Sequence, residues 1–208
     1  IIHLLMSEMQ KLLNYINGEL AEPASGSFLD NFEPATGQVY SEIPDSGFED
    51  IDQAVSAAQA AFPVWSAKTG DERAAHLQRV ATLIDEKLDD LARAESNDNG
   101  KPVTLAKMVD IPRASANFRF FASAATQFAS ESHAMGDAAI NYTLRRAIGV
   151  AGCISPWNLP LYLFTWKIAP ALAVGNCVVA KPSEITPMTA FRLSELCIEA
   201  GLPAGVLN

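Results

Sequence analysis

Cysteine, aromatic and basic residues are scarce in this sequence of 208 residues, and each shortage excludes a class of protein. Cys153, Cys177 and Cys197 are odd in number and form no closely spaced pair, which argues against a disulfide framework and predicts a cytoplasmic protein. Because 15 basic residues face 24 acidic ones, we expect neither a nucleic-acid surface nor an anionic membrane surface. With 49% hydrophobic residues, the composition is that of a folded globular chain.

Long apolar runs are also few, and the one that approaches the length of a membrane span contains helix breakers. Residues 147–166 carry no charge over 20 positions but include Pro156, Asn158 and Pro160, which would leave polar groups unpaired in a bilayer. We therefore interpret this run as a buried parallel strand with its helix. The opening IIHLLM is too short for a signal peptide and lacks its basic flank, and Met6 is a candidate natural start.

The first two thirds of the chain predict a hairpin and three helical stretches. Two strand-like pieces, 28–32 and 39–43, flank a turn at Pro34–Gly37. Asp50 is the expected cap of the first helix, the second is predicted over about 73–94, and the third is predicted to be interrupted at Pro112. The apolar faces are expected at Ile51, Ala54, Val55, Ala58 and Phe62; at Leu77, Val80, Ile84, Leu88 and Leu91; and at Phe118, Phe121, Ala125 and Phe128.

The last third changes to strand periodicity and then to an α/β pattern. Ile140, Tyr142 and Leu144 alternate with polar residues, which predicts a half-exposed strand in a protruding ribbon. A βαβ unit follows, with strands at 148–154 and 177–180 around a helix at about 159–174. A further helix is predicted with Thr186 as its cap, and a third strand begins near 205–208. Since parallel sheets usually have more strands, we expect the chain to be cut within a domain.

Several catalytic constellations are missing from the sequence. His3, His76 and His133 have no partner at ligand spacing, so we expect no metal site. No glycine-rich phosphate loop and no nucleophile elbow are present. An unrelated α/β reductase would need such a loop after the first strand of the βαβ unit, but residues 155–160 contain no glycine.

Polar clusters do follow both strands of the predicted βαβ unit. Residues 155–158 (SPWN) follow the first strand and residues 181–184 (KPSE) follow the second, at the strand ends where open α/β sheets bind ligands. Each cluster also has an ordinary explanation. Pro156 and Trp157 could form a packing corner, Asn158 could cap the next helix, and Lys181 with Glu184 could be a solvated ion pair.

At these two clusters the chain resembles the aldehyde dehydrogenase superfamily. The signature comprises ISPWNLP at 154–160 and KPSE at 181–184. Shorter matches are PATG at 34–37, AFPVW at 61–65, NGKP at 99–102 and GLPAGV at 201–206. Members of this family are more than twice as long, so the resemblance implies the amino-terminal part of an α/β fold with an incomplete Rossmann-type sheet, helices and a protruding ribbon.

The resemblance implies an enzyme that oxidises an aldehyde to a carboxylic acid through a cysteine thiohemiacetal and thioester, with hydride transfer to NAD; NADP is the second option. Asn158 matches the residue whose amide holds the oxyanion. The nucleophile and base would lie beyond Asn208, because the three cysteines are expected in apolar, buried positions. The remaining matches are to residues of the cofactor cleft: Ile154, Ser155, Pro156, Trp157, Lys181, Ser183 and Glu184.

Within the family, three segments resemble the branch that acts on 2-aminomuconic or 2-hydroxymuconic semialdehyde: 111–113, 117–121 and 157–167. Such a substrate carries a carboxylate, which Arg113 or Arg119 could bind; a helix-surface arginine is the alternative. The ribbon near Tyr142 matches the oligomerisation ribbon, which implies a homodimer or homotetramer.

The expected organisation has three parts: 1–130 with the hairpin and helices of the cofactor domain, 131–146 as the oligomerisation ribbon, and 147–208 with the first two βα units. The rival function is a non-catalytic nucleotide-binding or assembly module of the same ancestry. The coding sequence beyond Asn208 would distinguish the two.

Overall fold

The computed structural model of the chain describes residues 9–208. The expectations for IIHLLM, His3 and Met6 concern residues outside this range. Five strands come first: β1 (Gln10–Lys11), β2 (Asn14–Ile16), β3 (Glu19–Ala21), β4 (Phe28–Glu33) and β5 (Gln38–Pro44). β4 and β5 form the predicted antiparallel hairpin, and β1 pairs in parallel with the other edge of β5. The turn closes where the Gly37 N–H donates to the Glu33 carbonyl at 2.8 Å, with Gly37 at a φ of 69°.

β2 and β3 pair as a separate hairpin whose turn reaches the far end of the sequence. Asn17, in this turn, has a φ of 54°, and its N–H donates to the Asn208 side-chain oxygen at 2.8 Å. The contact joins positions 191 residues apart. It fixes the β2–β3 turn against the last described residues.

The first helix, α1 (Phe48–Ala67), begins earlier than predicted. Gly47 is its N-cap, so the prediction that Asp50 is the cap was wrong. Asp50 is the third helical residue, and its carboxylate accepts from the Gly47 and Ala24 N–H groups at 2.8 Å each. Ala54 and Ala58 are buried as predicted, whereas Ile51 is 51% exposed.

The predicted second helix is two helices, α2 (Gly70–Glu86) and α3 (Leu88–Asn99), so the prediction of one helix was wrong. Lys87 has non-helical dihedral angles and separates them. The apolar spacing continues through the break, from Ile84 to Leu88 and Leu91, and therefore gives no sign of it. α3 ends at Gly100, whose φ of 79° suits a glycine.

The third helical stretch contains a wide turn before Pro112. The single turn α4 (Val103–Leu105) leads into a π-helical turn (Ala106–Asp110) and then α5 (Ile111–Gln127). The interruption therefore precedes Pro112, which is accommodated in the first turn of α5 because no N–H is needed there. Phe118 is buried, but Phe128 follows the helix and is 66% exposed, so its predicted place on the apolar face was wrong.

The predicted ribbon is present as β6 (Ser132–Met135) and β7 (Ala139–Tyr142), which pair antiparallel. Every residue of both strands is exposed, so the expected half-burial was wrong in this structure. Leu144 lies beyond the end of β7. The apolar side chains Met135, Ile140 and Tyr142 therefore face no core within residues 9–208.

The predicted βαβ unit consists of β8 (Val150–Ile154), α6 (Pro160–Ala173) and β9 (Cys177–Lys181), with the strands parallel. Residues 206–208 pair in parallel with the other side of β9, as expected for a beginning third strand. The last helix, α7 (Met188–Glu199), has Pro187 as its N-cap, so the prediction of a Thr186 cap was wrong.

One large apolar core joins these elements: α1 and α6 pack against β8 and β9, and α2 and α5 pack against α6. Trp65 of α1 is fully buried, and its indole N–H donates to the Leu172 carbonyl at 3.1 Å. Gly205 lies so close to α1 that an added Cβ would approach the Ala57 carbonyl oxygen to 2.5 Å. Among residues 9–208, no helix has both the length and the apolar character needed to cross a bilayer.

Candidate functional site

Two loops meet at the carboxyl ends of β8 and β9, and we call them the β8 loop (residues 155–159) and the β9 loop (residues 182–187). The Ser155 N–H donates to the Lys181 carbonyl at 3.1 Å, which continues the strand pairing into the β8 loop. The Thr186 hydroxyl donates to the Trp157 carbonyl at 3.2 Å. The structure therefore brings together the two polar clusters that the sequence placed at adjacent strand ends.

Lys181 and Glu184 form an ion pair at the end of β9. The Lys181 Nζ lies 2.9 Å from a Glu184 carboxylate oxygen, and the side chains are 62% and 65% exposed. The hydrogen bond from Lys181 holds the pKa of Glu184 below its usual value. An exposed pair adds little to stability, but both groups are accessible to a ligand.

Asn158 is exposed in the β8 loop and does not cap α6. The N-cap of α6 is Leu159, without a side-chain cap, and within residues 9–208 the Asn158 amide forms no hydrogen bond. The capping alternative is therefore wrong. Trp157 is 55% exposed and Pro156 is exposed as well, so these residues do not form a packing corner in this structure.

The other predicted cleft residues have different surroundings. Ile154 is 71% exposed at the end of β8, whereas Ser155 is buried. The Ser183 hydroxyl accepts from the Ile185 N–H at 3.3 Å, and the Ser183 carbonyl accepts from the Thr186 N–H at 3.2 Å. Ser183 therefore shapes the turn that presents Glu184.

The last turn of α3 contacts the β8 loop and the start of α7, which follows the β9 loop, and the sequence did not predict these contacts. The Asn99 amide donates to the Trp157 carbonyl at 3.0 Å. Asp98 accepts from the Met188 N–H at 2.8 Å, and Glu95 accepts from the Thr189 hydroxyl at 2.8 Å. Two carboxylates near a helix C-terminus oppose the helix dipole, and this anomaly is the signal that could have revealed them.

Glu95 also belongs to a buried charge cluster with Lys101 and Asp110. The Lys101 Nζ lies 2.8 Å from Asp110 and 3.5 Å from Glu95, and all three side chains are at most 8% exposed. Burial raises the pKa of Glu95 to about 7, against the opposing effects of the Thr189 hydrogen bond and the Lys101 charge. The single positive charge of Lys101 therefore lies close to two buried carboxyl groups.

The three thiols are poorly suited to nucleophilic attack. Cys177 and Cys197 are buried as predicted, and burial raises their pKa values to about 11 and about 12. Cys153 is only half-buried, so the expectation of full burial was wrong for it; desolvation still raises its pKa, partly offset by Lys167. Raised thiol pKa values reduce the thiolate fraction that a nucleophile needs.

The two arginines proposed as substrate ligands differ in their contacts. Arg119 forms an ion pair of 2.5 Å with Asp85 on the exposed face between α2 and α5. The Arg113 guanidinium lies 5.6 Å from the centre of the Tyr162 ring, in the first turn of α6 and four residues after Asn158. Arg113 therefore contacts the first turn of the helix that follows the β8 loop.

The histidines within the described residues lie apart from the loops. His76 packs against Trp65 with ring centres 5.7 Å apart, and burial lowers its pKa. His133 is exposed in the ribbon, 4.0 Å from Glu131. In residues 9–208, no group of three or more His, Cys, Asp or Glu side chains has an arrangement that could hold a metal ion.

Comparison with known proteins gives a consistent family. The profile described as "Aldehyde dehydrogenase family" matches residues 21–208. The 2-aminomuconic semialdehyde dehydrogenase of Bos taurus is 52% identical over 198 residues, covering 95% of this chain and 40% of that protein. The 2-hydroxymuconic semialdehyde dehydrogenase of Pseudomonas sp. (strain CF600) is 47% identical over 205 residues, covering 96% and 42%.

Solved structures of aldehyde dehydrogenases superpose closely on this chain. The "NAD+ complex structure of aldehyde dehydrogenase from bacillus cereus" superposes with a TM-score of 0.93 at 37% identity, covering 96% of this chain and 41% of that one. A putative aldehyde dehydrogenase from Burkholderia cenocepacia gives 0.91 at 40% identity, covering 96% and 40%. The chain thus spans about 40% of the length of the curated relatives named above.

Proposed function

The chain belongs to the aldehyde dehydrogenase family, and we propose that it forms the amino-terminal, cofactor-binding part of an NAD-dependent enzyme that oxidises an aldehyde to a carboxylic acid. The observation that carries this proposal is the meeting of the β8 and β9 loops at adjacent parallel strand ends. The proposal is supported by the family profile, which matches residues 21–208.

The side chains of these loops fit a dinucleotide. At the end of β9, the Lys181 ammonium can donate to the ribose hydroxyls and the Glu184 carboxylate can accept from them, since both are exposed. The other residues that we place in the proposed cleft belong to the end of β8 and to the two loops: Ile154, Ser155, Pro156, Trp157 and Ser183. A second phosphate on the ribose would meet the Glu184 charge, which favours NAD over NADP. The bound nicotinamide would accept the hydride.

Asn158 is the proposed oxyanion donor, and its amide, which is exposed and forms no hydrogen bond with residues 9–208, is consistent with that role. A donor fixed before the reaction stabilises the negative charge that develops when a thiolate adds to the aldehyde carbonyl. We assign that thiolate, and the base that activates water to cleave the resulting thioester, to residues outside this chain. The raised pKa values of Cys153, Cys177 and Cys197 support this assignment.

The proposed substrate is a muconic semialdehyde, as in the names of the two curated relatives. Its carboxylate would bind Arg113, which has no ion-pair partner within residues 9–208 and lies against Tyr162. Arg119 is the weaker candidate because Asp85 already neutralises it.

The exposed ribbon is the proposed contact between subunits of a cytoplasmic homodimer or homotetramer. Its apolar side chains and unpaired strand edges favour pairing with another chain. We also propose that the chain has three parts, 1–130, 131–146 and 147–208. This division follows from the order of the elements, because the ribbon lies between the helices and the βαβ unit in the sequence.

The test compares two proteins: the 208-residue chain, and a chimera in which it replaces the matching 40% of the Bos taurus relative. NADH formation is followed with muconic and neutral aldehydes. We expect turnover by the chimera and none by the chain. Turnover by the chain that disappears when one of its own cysteines is mutated would overturn the assignment of the nucleophile. A folded but inactive chimera with the relative's own nucleophile would favour the rival, non-catalytic module.

A further inference from the structure

We infer that the last turn of α3 positions both loops of the proposed site, and we call Glu95, Asp98 and Asn99 together the α3 brace. The inference rests on the proposed function for the meaning of the loops, but its contacts are independent of that function. Each brace residue binds a different point, and each point lies in a loop or in the first turn of the helix that follows it.

Asn99 holds the β8 loop. Its amide donates to the Trp157 carbonyl at 3.0 Å, and the same carbonyl also accepts from Thr186 of the β9 loop at 3.2 Å. The Trp157 peptide group leads directly to Asn158, whose side chain forms no hydrogen bond within residues 9–208. The orientation of the proposed oxyanion donor therefore depends on the backbone that Asn99 holds.

Asp98 holds the end of the β9 loop. One carboxylate oxygen accepts from the N–H of Met188, the first residue of α7, at 2.8 Å. The other accepts from the Tyr40 hydroxyl and from the Asn31 amide, which anchor it to the β4–β5 hairpin. Because Asp98 is 2% exposed and has these fixed donors, it has little freedom to move.

Glu95 links the two helices that follow the loops. A single carboxylate oxygen accepts from the Thr189 hydroxyl of α7 at 2.8 Å and faces the Leu161 N–H of α6 at 3.5 Å. Carboxylates are favoured at helix N-termini, where N–H groups are unpaired. The brace thus sets the starts of α6 and α7 relative to each other, and with them the ends of both loops.

The first experiment measures hydrogen exchange in the 208-residue chain. Asn99→Asp has nearly the same shape, but its carboxylate cannot donate to the Trp157 carbonyl. The matched control is Asn97→Asp, two residues earlier on the exposed side of α3. We expect the Ser155 and Leu163 amides, which donate to the Lys181 and Leu159 carbonyls at the two ends of the β8 loop, to exchange about fivefold faster in Asn99→Asp, the factor for one ordinary hydrogen bond. Exchange should be unchanged in the control.

The second pair tests the β9 loop in the same way. Asp98→Asn weakens the charge-assisted bond to Met188, and Asp90→Asn is the matched control in the exposed first turn of α3. We expect faster exchange at Met188 and in the β9 loop only for Asp98→Asn. Equal exchange in each variant and its control would overturn the brace, whatever the function of the loops.

Kinetics of the active chimera then separate positioning from general stability. We expect Asn99→Asp to lower kcat with little change in KM for NAD, and Asp98→Asn to raise KM for NAD with a smaller effect on kcat. Parallel losses in both constants for both variants would overturn residue-specific positioning. Loosened loops with normal kinetics would support the brace and contradict the proposed roles of Asn158 and Glu184 instead.

Discussion

The ammonium of Lys181 and the carboxylate of Glu184 lie 2.9 Å apart at the carboxyl end of β9, and neither is buried. A group that binds beside this pair meets one donor and one acceptor, which suits the two hydroxyls of an unmodified ribose. The same carboxylate repels a ribose phosphate.

Glu184→Gln should therefore raise the ratio of kcat/KM for NADP to that for NAD, by about tenfold, because the repelling charge is gone. The ratio is measured in the active chimera. Glu195→Gln is the matched control, since Glu195 forms a similar ion pair with Arg192 on α7, away from the loops. Equal kcat/KM values for the two cofactors before mutation would contradict the electrostatic explanation.

Asn158→Ala should lower the rate of hydride transfer on the order of 10²-fold while NAD affinity stays nearly constant, since one oxyanion donor is lost. Single-turnover NADH formation and equilibrium NAD binding give the two quantities. Asn97→Ala removes another exposed asparagine as the control. A fall in NAD affinity with unchanged kcat would assign Asn158 to cofactor binding instead.

Arg113→Met should raise KM for a semialdehyde with a carboxylate by about tenfold or more, but leave KM for a neutral aldehyde unchanged, because only the charged substrate loses its partner. Arg119→Met should have a smaller effect, since Asp85 already occupies Arg119. Arg93→Met, on the exposed side of α3, is the control. Equal changes for both aldehydes would exclude carboxylate recognition by Arg113.

Alkylation of the native chain at pH 8 should label Cys153 first and leave Cys177 and Cys197 protected until the chain unfolds. Cys153 is half-buried and Lys167 opposes the rise in its pKa, whereas the other two thiols are buried with pKa values raised to about 11 and about 12. Mass spectrometry of the labelled peptides, with and without urea, measures this order. Rapid labelling of Cys197 in the native chain would contradict it.

The contribution of Glu95 to the free energy of unfolding should fall as the pH rises from about 4.5 to about 7. Glu95 has a raised pKa of about 7 when folded, so the folded chain keeps a proton in this window that the unfolded chain releases. The contribution is at most about 1.4 kcal/mol for each pH unit and levels off above pH 7.

Urea unfolding at pH 5, 6, 7 and 8 measures this dependence. Glu95→Gln should remove that part of the slope, and Glu86→Gln, at the exposed end of α2, should retain it. Identical slopes in the original chain and in Glu95→Gln would show that Glu95 does not titrate there.

The β4–β5 hairpin and the βαβ unit were predictable because local patterns specify them: a turn sequence between alternating pieces, and apolar strands around a helix. The break at Lys87 was not, because the apolar period continues across it from Ile84 to Leu91. The prediction that Phe128 lies on the apolar face of the third helix was wrong because its helical spacing continues one residue past Gln127, where the helix ends.

For the site, the sequence alone indicated two loops at adjacent strand ends, and the resemblance supplied the roles of Asn158, Lys181 and Glu184. The α3 brace could not be predicted from spacing. Its contacts join residues 58 to 94 positions apart, and which carboxylate meets which N–H depends on how α3, α6 and α7 pack. The sequence NDNG at 97–100 predicts that a helix ends there, but it does not predict which residues of other helices and loops this helix end contacts.

The hydrogen bond between Asn17 and Asn208 can form only after the whole segment between them has been synthesised. The β2–β3 turn is made well before its partner, which follows 191 residues later. Closing so long a loop is entropically unfavourable until other contacts have shortened it. A nascent chain can therefore complete its helices and β8–β9 pairing before this turn, and ribosome-bound intermediates should differ from the released chain most strongly around Asn17.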